Sequence, residues 1–410
     1  MALSRLRSLP DAGRGQVTDG HTNDAFGFWK LAENWRVPLA SHNEGTELAA
    51  EHYLLEKYWP DELRRPPSGL QVYYPVKRLL PAPLRHYLHS LLVRTRERPA
   101  FPGWPYELTL LRFMSEWLTT AMAKLQCKDG WHIGFWPDGY ECCIVLTHDV
   151  EGPKGFDRIE AMAELEDKYG FRSAWNLPLA QYRIDWNKME RLRRLGFEIG
   201  AHGLSHDGRL FRSLEDFQLL APKLEALARE HDLRGFRSPS TLRRIEWLQQ
   251  LDFDFDSSFA DTDPYEPQPG GCCSLFPFFL GRMVELPYTL PQDHTLLHLL
   301  RREALPIWAA KARWIASVGG MILTLVHPDY YGAGPYLAEY EELLKQLRDV
   351  EGAWRALPSQ VAAWWQRRAA MRLDVKLGKP VVSGPSVEGG VARRLSCERL
   401  LKWRSTCREF

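Results

Sequence analysis

The sequence predicts an α/β fold built on a parallel sheet or barrel. Two observations predict it. From about Trp136 to Trp365, short apolar runs of strand length alternate with amphipathic stretches of helix length, the pattern of repeated strand–helix units. Several of those runs also break into a tight group of ionisable side chains. α/β folds present chemistry in this way, at the carboxyl edge of their strands.

The bulk numbers narrow the class. A chain of 410 residues holds one large domain with appendages, or two domains. A formal net charge of +1 argues against a dedicated nucleic-acid binder, which needs a basic face to neutralise phosphates. The seven Cys are odd in number, include the adjacent pairs Cys142-Cys143 and Cys272-Cys273, and show no CxxC spacing. Reduced thiols fit this best. Residues 1–20 carry Arg5, Arg7 and Arg14 but no apolar core, so no export signal is expected and the cytoplasm is the expected compartment. No apolar run is long enough to span a membrane.

Residues 1–25 are polar and read as a loose arm. Residues 26–137 read as a mainly helical extension: Phe26 to Tyr58 is helix-like, and Leu70 to Tyr74 is a short β-type run. Leu111, Met114, Leu118, Met122 and Leu125 recur at helical spacing. This extension is expected to pack against the main domain or cover its mouth.

Residues 138–366 form the barrel unit. Candidate strands are Cys142 to Leu146, Arg172 to Asn176, Phe197 to Ala201, Arg234 to Phe236, Phe253 to Phe255, Val284 to Leu286 and Met321 to Val326. Helices are expected over Asp157 to Tyr169, Trp186 to Leu195, Leu214 to Glu230 and Ala304 to Val318. Residues 367–410 form a short basic C-terminal tail, with eleven Lys or Arg against four Asp or Glu. Within it Val391 to Arg404 has the spacing of a basic amphipathic helix, for which a solvated surface is the first expectation and peripheral membrane contact the second.

Four strand ends carry the chemistry. The first run breaks into Thr147, His148, Asp149, Val150 and Glu151 before Gly152-Pro153. The second is followed by His202-x-x-x-His206; on a helical turn these rings share a face and can aim at one point. Two imidazoles and a carboxylate make the donor set of an open catalytic metal site. Arg237, at the third strand end, is suited to hold a carboxylate ionised. His327, after Leu323-Thr-Leu325-Val, is suited to donate a proton to a leaving amine.

The order Thr-His-Asp149, His202-x-x-x-His206, Arg237-x-Pro239 and Leu325-x-His327-Pro328 resembles the polysaccharide deacetylases, carbohydrate esterase family 4, also called the NodB-homology domain. The likeness covers residues 138–366. It implies a distorted (β/α)7 barrel and metal-dependent N-deacetylation of an N-acetylated sugar or glycan precursor. It also implies Asp149 as general base, His202 and His206 as metal ligands, Arg237 as the tether of the base, His327 as general acid, and Leu325 at the acetyl pocket. Asp256, Asp293 and His294 lie in stretches similar to a subgroup of the family and are expected at the substrate.

The sequence departs from the family where a second Asp usually follows the first. Val150 stands there, and Glu151 is the available third ligand, since residues two apart on an extended chain point the same way. The roles of Asp149 and Glu151 are therefore exchangeable at this stage. Thr241 replaces the Gly that usually ends the Arg motif. The expected cofactor is a divalent metal, zinc first, with Co2+, Ni2+, Fe2+ and Mn2+ also accepted by such donors. Two other readings stand beside deacetylation: hydrolysis of a non-sugar amide on the same scaffold, and a catalytically silent carbohydrate-binding or scaffold protein. The oligomeric state is not set by the sequence.

Overall fold

The computed structural model describes residues 22–60, 62, 101–396, 400 and 403. The strands are β1 (Asp129–Ile133), β2 (Cys142–Asp149), β3 (Ser173–Leu177), β4 (Glu198–Ala201), β5 (Gly235–Phe236), β6 (Phe255–Asp256) and β7 (Phe278–Leu280). They continue with β8 (Met283–Glu285), β9 (Met321–Val326), β10 (Ala353–Arg355), β11 (Arg372–Lys376), β12 (Lys379–Ser383) and β13 (Ala392–Ser396).

β2, β3, β4, β5, β6 and β8 pair in that order, all parallel, and β9 pairs parallel to the other edge of β2. The ring closes between the exit of β8 and β9: Thr289 and Leu290 donate their backbone N–H groups to the Leu323 carbonyl, each at 3.1 Å. The result is a distorted (β/α)7 barrel. β7 turns back on β8 antiparallel, and β10 extends the lower half of β2.

β2 is buried along its whole length because it has partners on both edges and a helix layer outside. The apolar face of helix Pro153–Lys168 (Phe156, Ile159, Met162 and Ala163) covers it, and Pro at the first turn starts that helix without losing a hydrogen bond. Side chains alternate along β2. Thr147 and Asp149 face the barrel interior, where Arg237 reaches both from β5. His148 faces outward, stacks on Trp175 at 4.2 Å and bonds Glu166 at 2.6 Å. This histidine therefore belongs to the packing between sheet and helices.

The extension supplies helices Ala25–Trp29, Arg36–Asn43, Thr46–Leu54 and Thr109–Lys124. It docks on the barrel flank through specific polar contacts. Tyr58 Oη donates to the Gly271 carbonyl at 2.7 Å, and Thr262 Oγ1 donates to the Gly103 carbonyl at 2.6 Å. Buried Arg243 is paired with buried Glu56, its Nε donating at 2.8 Å.

Three expectations are corrected. Residues 23–25 are not a loose arm: Asn23 exchanges two hydrogen bonds with the backbone of Phe279, and Asp24 caps the first helix. The stretch Val391 to Arg404 does not run as one helix, because residues 392–396 form β13 and complete an antiparallel pair with the edge of β1. The tail also holds the β11–β12 hairpin. Finally, His202 to Asp207 is a loop and not a helical turn. Leu70 to Tyr74 lies outside the described residues.

Candidate metal centre

The parallel strands deliver their polar residues to one end of the barrel. β2 ends in Asp149, β4 leads into His202, β5 into Arg237 and β9 into His327. Beyond its strand the His202 loop turns at Gly203, whose φ is +73° and where a Cβ would lie 2.8 Å from Pro239 Cγ. Only glycine meets both conditions cheaply. That turn brings the His202 and His206 rings to 5.4 Å between centroids.

Glu151, His202 and His206 each offer a ligand atom, and these atoms lie within 4.8 Å of one another. Glu151 Oε1 is 2.8 Å from His206 Nε2. His202 Nδ1 lies 3.0 Å from the Arg237 carbonyl, an acceptor, so this nitrogen carries the ring hydrogen. Its Nε2 is then a bare lone pair, buried and with no hydrogen-bonding partner among the described residues. Burial lowers this imidazole to about pH 4, against the pull of Asp149, so the ring is neutral at physiological pH. A neutral histidine fixed through one nitrogen, with the other bare and buried beside a carboxylate and a second imidazole, fits a divalent cation.

Asp149 sits beside this group without joining it. Its Oδ1 accepts from Asn176 Nδ2 at 2.9 Å and from Arg237 Nη1 at 3.2 Å. Burial would raise its carboxyl, yet His202, Arg237, His327 and the Asn176 bond outweigh that and hold it at about 2. Arg237 is itself locked, donating to Thr147 Oγ1 at 2.7 Å, Ser257 Oγ at 2.6 Å and the Ser257 carbonyl at 2.7 Å. On the far side His327 Nε2 lies 3.6 Å from Glu151 Oε1.

Asp293 grips His327 twice, accepting Nδ1–H at 2.6 Å and the backbone N–H at 2.7 Å. Burial works against the protonated ring, but Asp293, then Glu151 and Asp149, push it up to about 10. Leu325, two residues before His327 on β9, is buried and in register with Thr147.

The three residues expected at the substrate differ in burial and in partners. Asp256 is fully buried and stands opposite Glu285 in the β6–β8 register, bonded to Ser258 Oγ at 2.7 Å. Burial and the charge of Asp256 raise Glu285 well above the usual range. Asp293 is likewise fully buried and committed to His327. His294 alone of the three is partly exposed at the mouth, 3.2 Å from Glu266. The sequence reading gave no role to Asn176, Thr147 or Ser257, although Thr147 stands in the Thr-His-Asp149 motif and Ser257 directly follows Asp256. Their one local signal is that each is a polar residue near the end of an apolar run.

Fold and site together define a barrel with a His–His–carboxylate cluster flanked by a tethered Asp and an Asp-paired His. No protein-family model matches the chain, and no curated protein matches it. Several solved structures are similar to it. One is a probable polysaccharide deacetylase from Pseudomonas aeruginosa PAO1, 12% identical, covering 57% of this chain and 93% of that one with a TM-score of 0.44. An allantoinase is 11% identical over 57% and 92%, with a TM-score of 0.45. A peptidoglycan deacetylase from Bacillus subtilis is 17% identical over 56% and 94%, with a TM-score of 0.36.

Proposed function

We propose that the protein is a metal-dependent hydrolase that removes the acetyl group from an N-acetylated amino sugar or glycan precursor. The observation that carries this reading is the meeting of Glu151, His202 and His206 within 4.8 Å at the barrel mouth, with Asp149 on one side and His327 on the other. The order of the same residues along the chain, resembling the polysaccharide deacetylases, supports the acetylated sugar as substrate.

Glu151, His202 and His206 would hold the ion, zinc being the expected one. When bound, such an ion acidifies a water molecule toward neutrality and polarises the acetyl carbonyl. The chain's own groups do the rest. Asp149, kept ionised by Arg237 and Asn176, accepts the proton of the attacking water. His327, kept protonated by Asp293, delivers a proton to the departing amine as the C–N bond breaks. The products are acetate and the free amino sugar. This division assigns Glu151 to the ion and Asp149 to the base, because Asp149 Oδ1 is already occupied by Arg237 and Asn176.

The test is metal content together with acetate release across a panel of N-acetyl sugars, their nucleotide- and lipid-linked forms, and non-sugar amides. Wild-type protein is expected to hold about one equivalent of metal and to deacetylate a sugar, and His202→Ala to lose both. Hydrolysis of only the non-sugar amides would transfer the reading to that substrate class. Absence of both metal and turnover would leave a silent binding protein. No described helix is long and apolar enough to cross a membrane. A precursor made in the cytoplasm is the substrate source we propose; fractionation of the native protein outside the cytoplasmic membrane would overturn that assignment.

A further inference from the structure

Glu151 is the ligand most in need of support. β2 ends two residues before it, at Asp149: the Val150 N–H still reaches the Asn176 carbonyl at 3.0 Å, and then the chain leaves β3. An unanchored loop would let a long, flexible carboxylate wander over several ångströms, and ordering it on binding would weaken any ion. The structure shows anchors on every peptide group around it. Tyr182 Oη donates to the Val150 carbonyl at 2.8 Å. Asp329 Oδ2 accepts the Glu151 N–H at 3.2 Å, while its Oδ1 accepts the Gly155 N–H at 3.2 Å. Gln181 Nε2 donates to the Glu151 carbonyl at 2.5 Å.

The same Gln181 amide reaches across to the other ligand loop. Its Oε1 accepts the His206 N–H at 2.5 Å. Only one orientation of the amide satisfies both contacts, since one partner is an acceptor and the other a donor. One primary amide therefore ties the backbone of two ligands whose strands are β2 and β4.

We propose that Gln181 and Asp329 are positioning residues of the metal centre: they grip the peptide groups on both sides of Glu151, and Gln181 locks that grip to His206. The inference rests on the metal reading above and adds the residues that set its affinity. Gln181 is exposed at the rim, so its removal opens no core.

The experiment uses the full-length chain stripped of metal and titrated with Co2+ in competition with a chromogenic chelator, with the visible Co2+ spectrum recorded. Gln181→Ala is expected to raise the dissociation constant roughly ten-fold or more and to alter the Co2+ bands, with the metal-free melting temperature unchanged. Gln181→Glu keeps the acceptor for the His206 N–H but not the donor to Glu151, and is expected to lie between wild type and Gln181→Ala. Wild-type affinity and an unchanged spectrum in both variants would overturn the inference while leaving the metal reading intact. Failure of wild-type protein to bind Co2+ would remove both. Should Gln181→Ala not fold, Gln181→Glu decides alone: weakened binding supports the brace, and wild-type binding refutes it.

Discussion

Asp293→Asn tests the acid side of the site most directly. His327 is held at about 10 against an ordinary 6.5, a difference of 10 − 6.5 that corresponds to about 5 kcal/mol favouring the protonated ring. Burial opposes this protonation, and Asp293 is the largest of the groups that favour it, ahead of Glu151 and Asp149. Replacing its charge with a neutral amide removes a charge-assisted hydrogen bond of about 1.5–3 kcal/mol, so the ring pKa should fall by about 1–2 units. Imidazole NMR titration of the metal-free protein measures this without any substrate.

Stability should follow the same titration. The folded pKa of His327 lies above its unfolded value, so its contribution is complete below 6.5 and is lost as pH rises through about 10. Denaturant midpoints of the wild type should fall across that window, and those of Asp293→Asn should fall less. In an active preparation the alkaline limb of the turnover profile should move toward neutrality. A variant in which His327 still titrates near the wild-type value would refute the argument, because Asp293 would then not be what keeps the ring charged.

Other changes address the remaining parts. Asp149→Asn should leave Co2+ affinity within about three-fold while removing acetate release, whereas Glu151→Gln should weaken Co2+ binding by about 10–100-fold; the opposite result would exchange the two carboxylate roles. Gly203→Ala forces a side chain into φ +73° and against Pro239. It should cost at least about 1 kcal/mol in thermal stability and weaken metal binding through the His202–His206 loop. Glu56→Gln leaves Arg243 as a buried charge without its carboxylate and should destabilise the fold by about 3–5 kcal/mol in denaturant melts, a cost that Glu56→Leu with Arg243→Met should largely recover.

Strand ends were legible because an apolar run that stops at an ionisable cluster marks both the sheet and its mouth. Met321–Val326 and the helices Leu214–Glu230 and Ala304–Val318 fall where the periodicity puts them. His202, Arg237 and His327 were legible for the same reason, each being the first polar side chain past a buried strand, while Asp149 ends its strand and Glu151 and His206 follow within a few residues. Contacts made across the barrel were not. An i, i+4 histidine pair suits a helical turn equally well, and only the left-handed turn at Gly203 beside Pro239 makes it a loop. The partner of Asp256 is set by strand register, and that of Asp293 by how the β8 exit passes under β9. The C-terminal run Ala392–Ser396 takes a strand because β1 offers it an edge, and local spacing carries no record of that edge. Sequence alone determined which groups stand at the ends of strands, since burial of a strand is written in its own residues; the pairing of those groups was decided by tertiary structure, because hydrogen bonds between distant segments depend on where the chain returns.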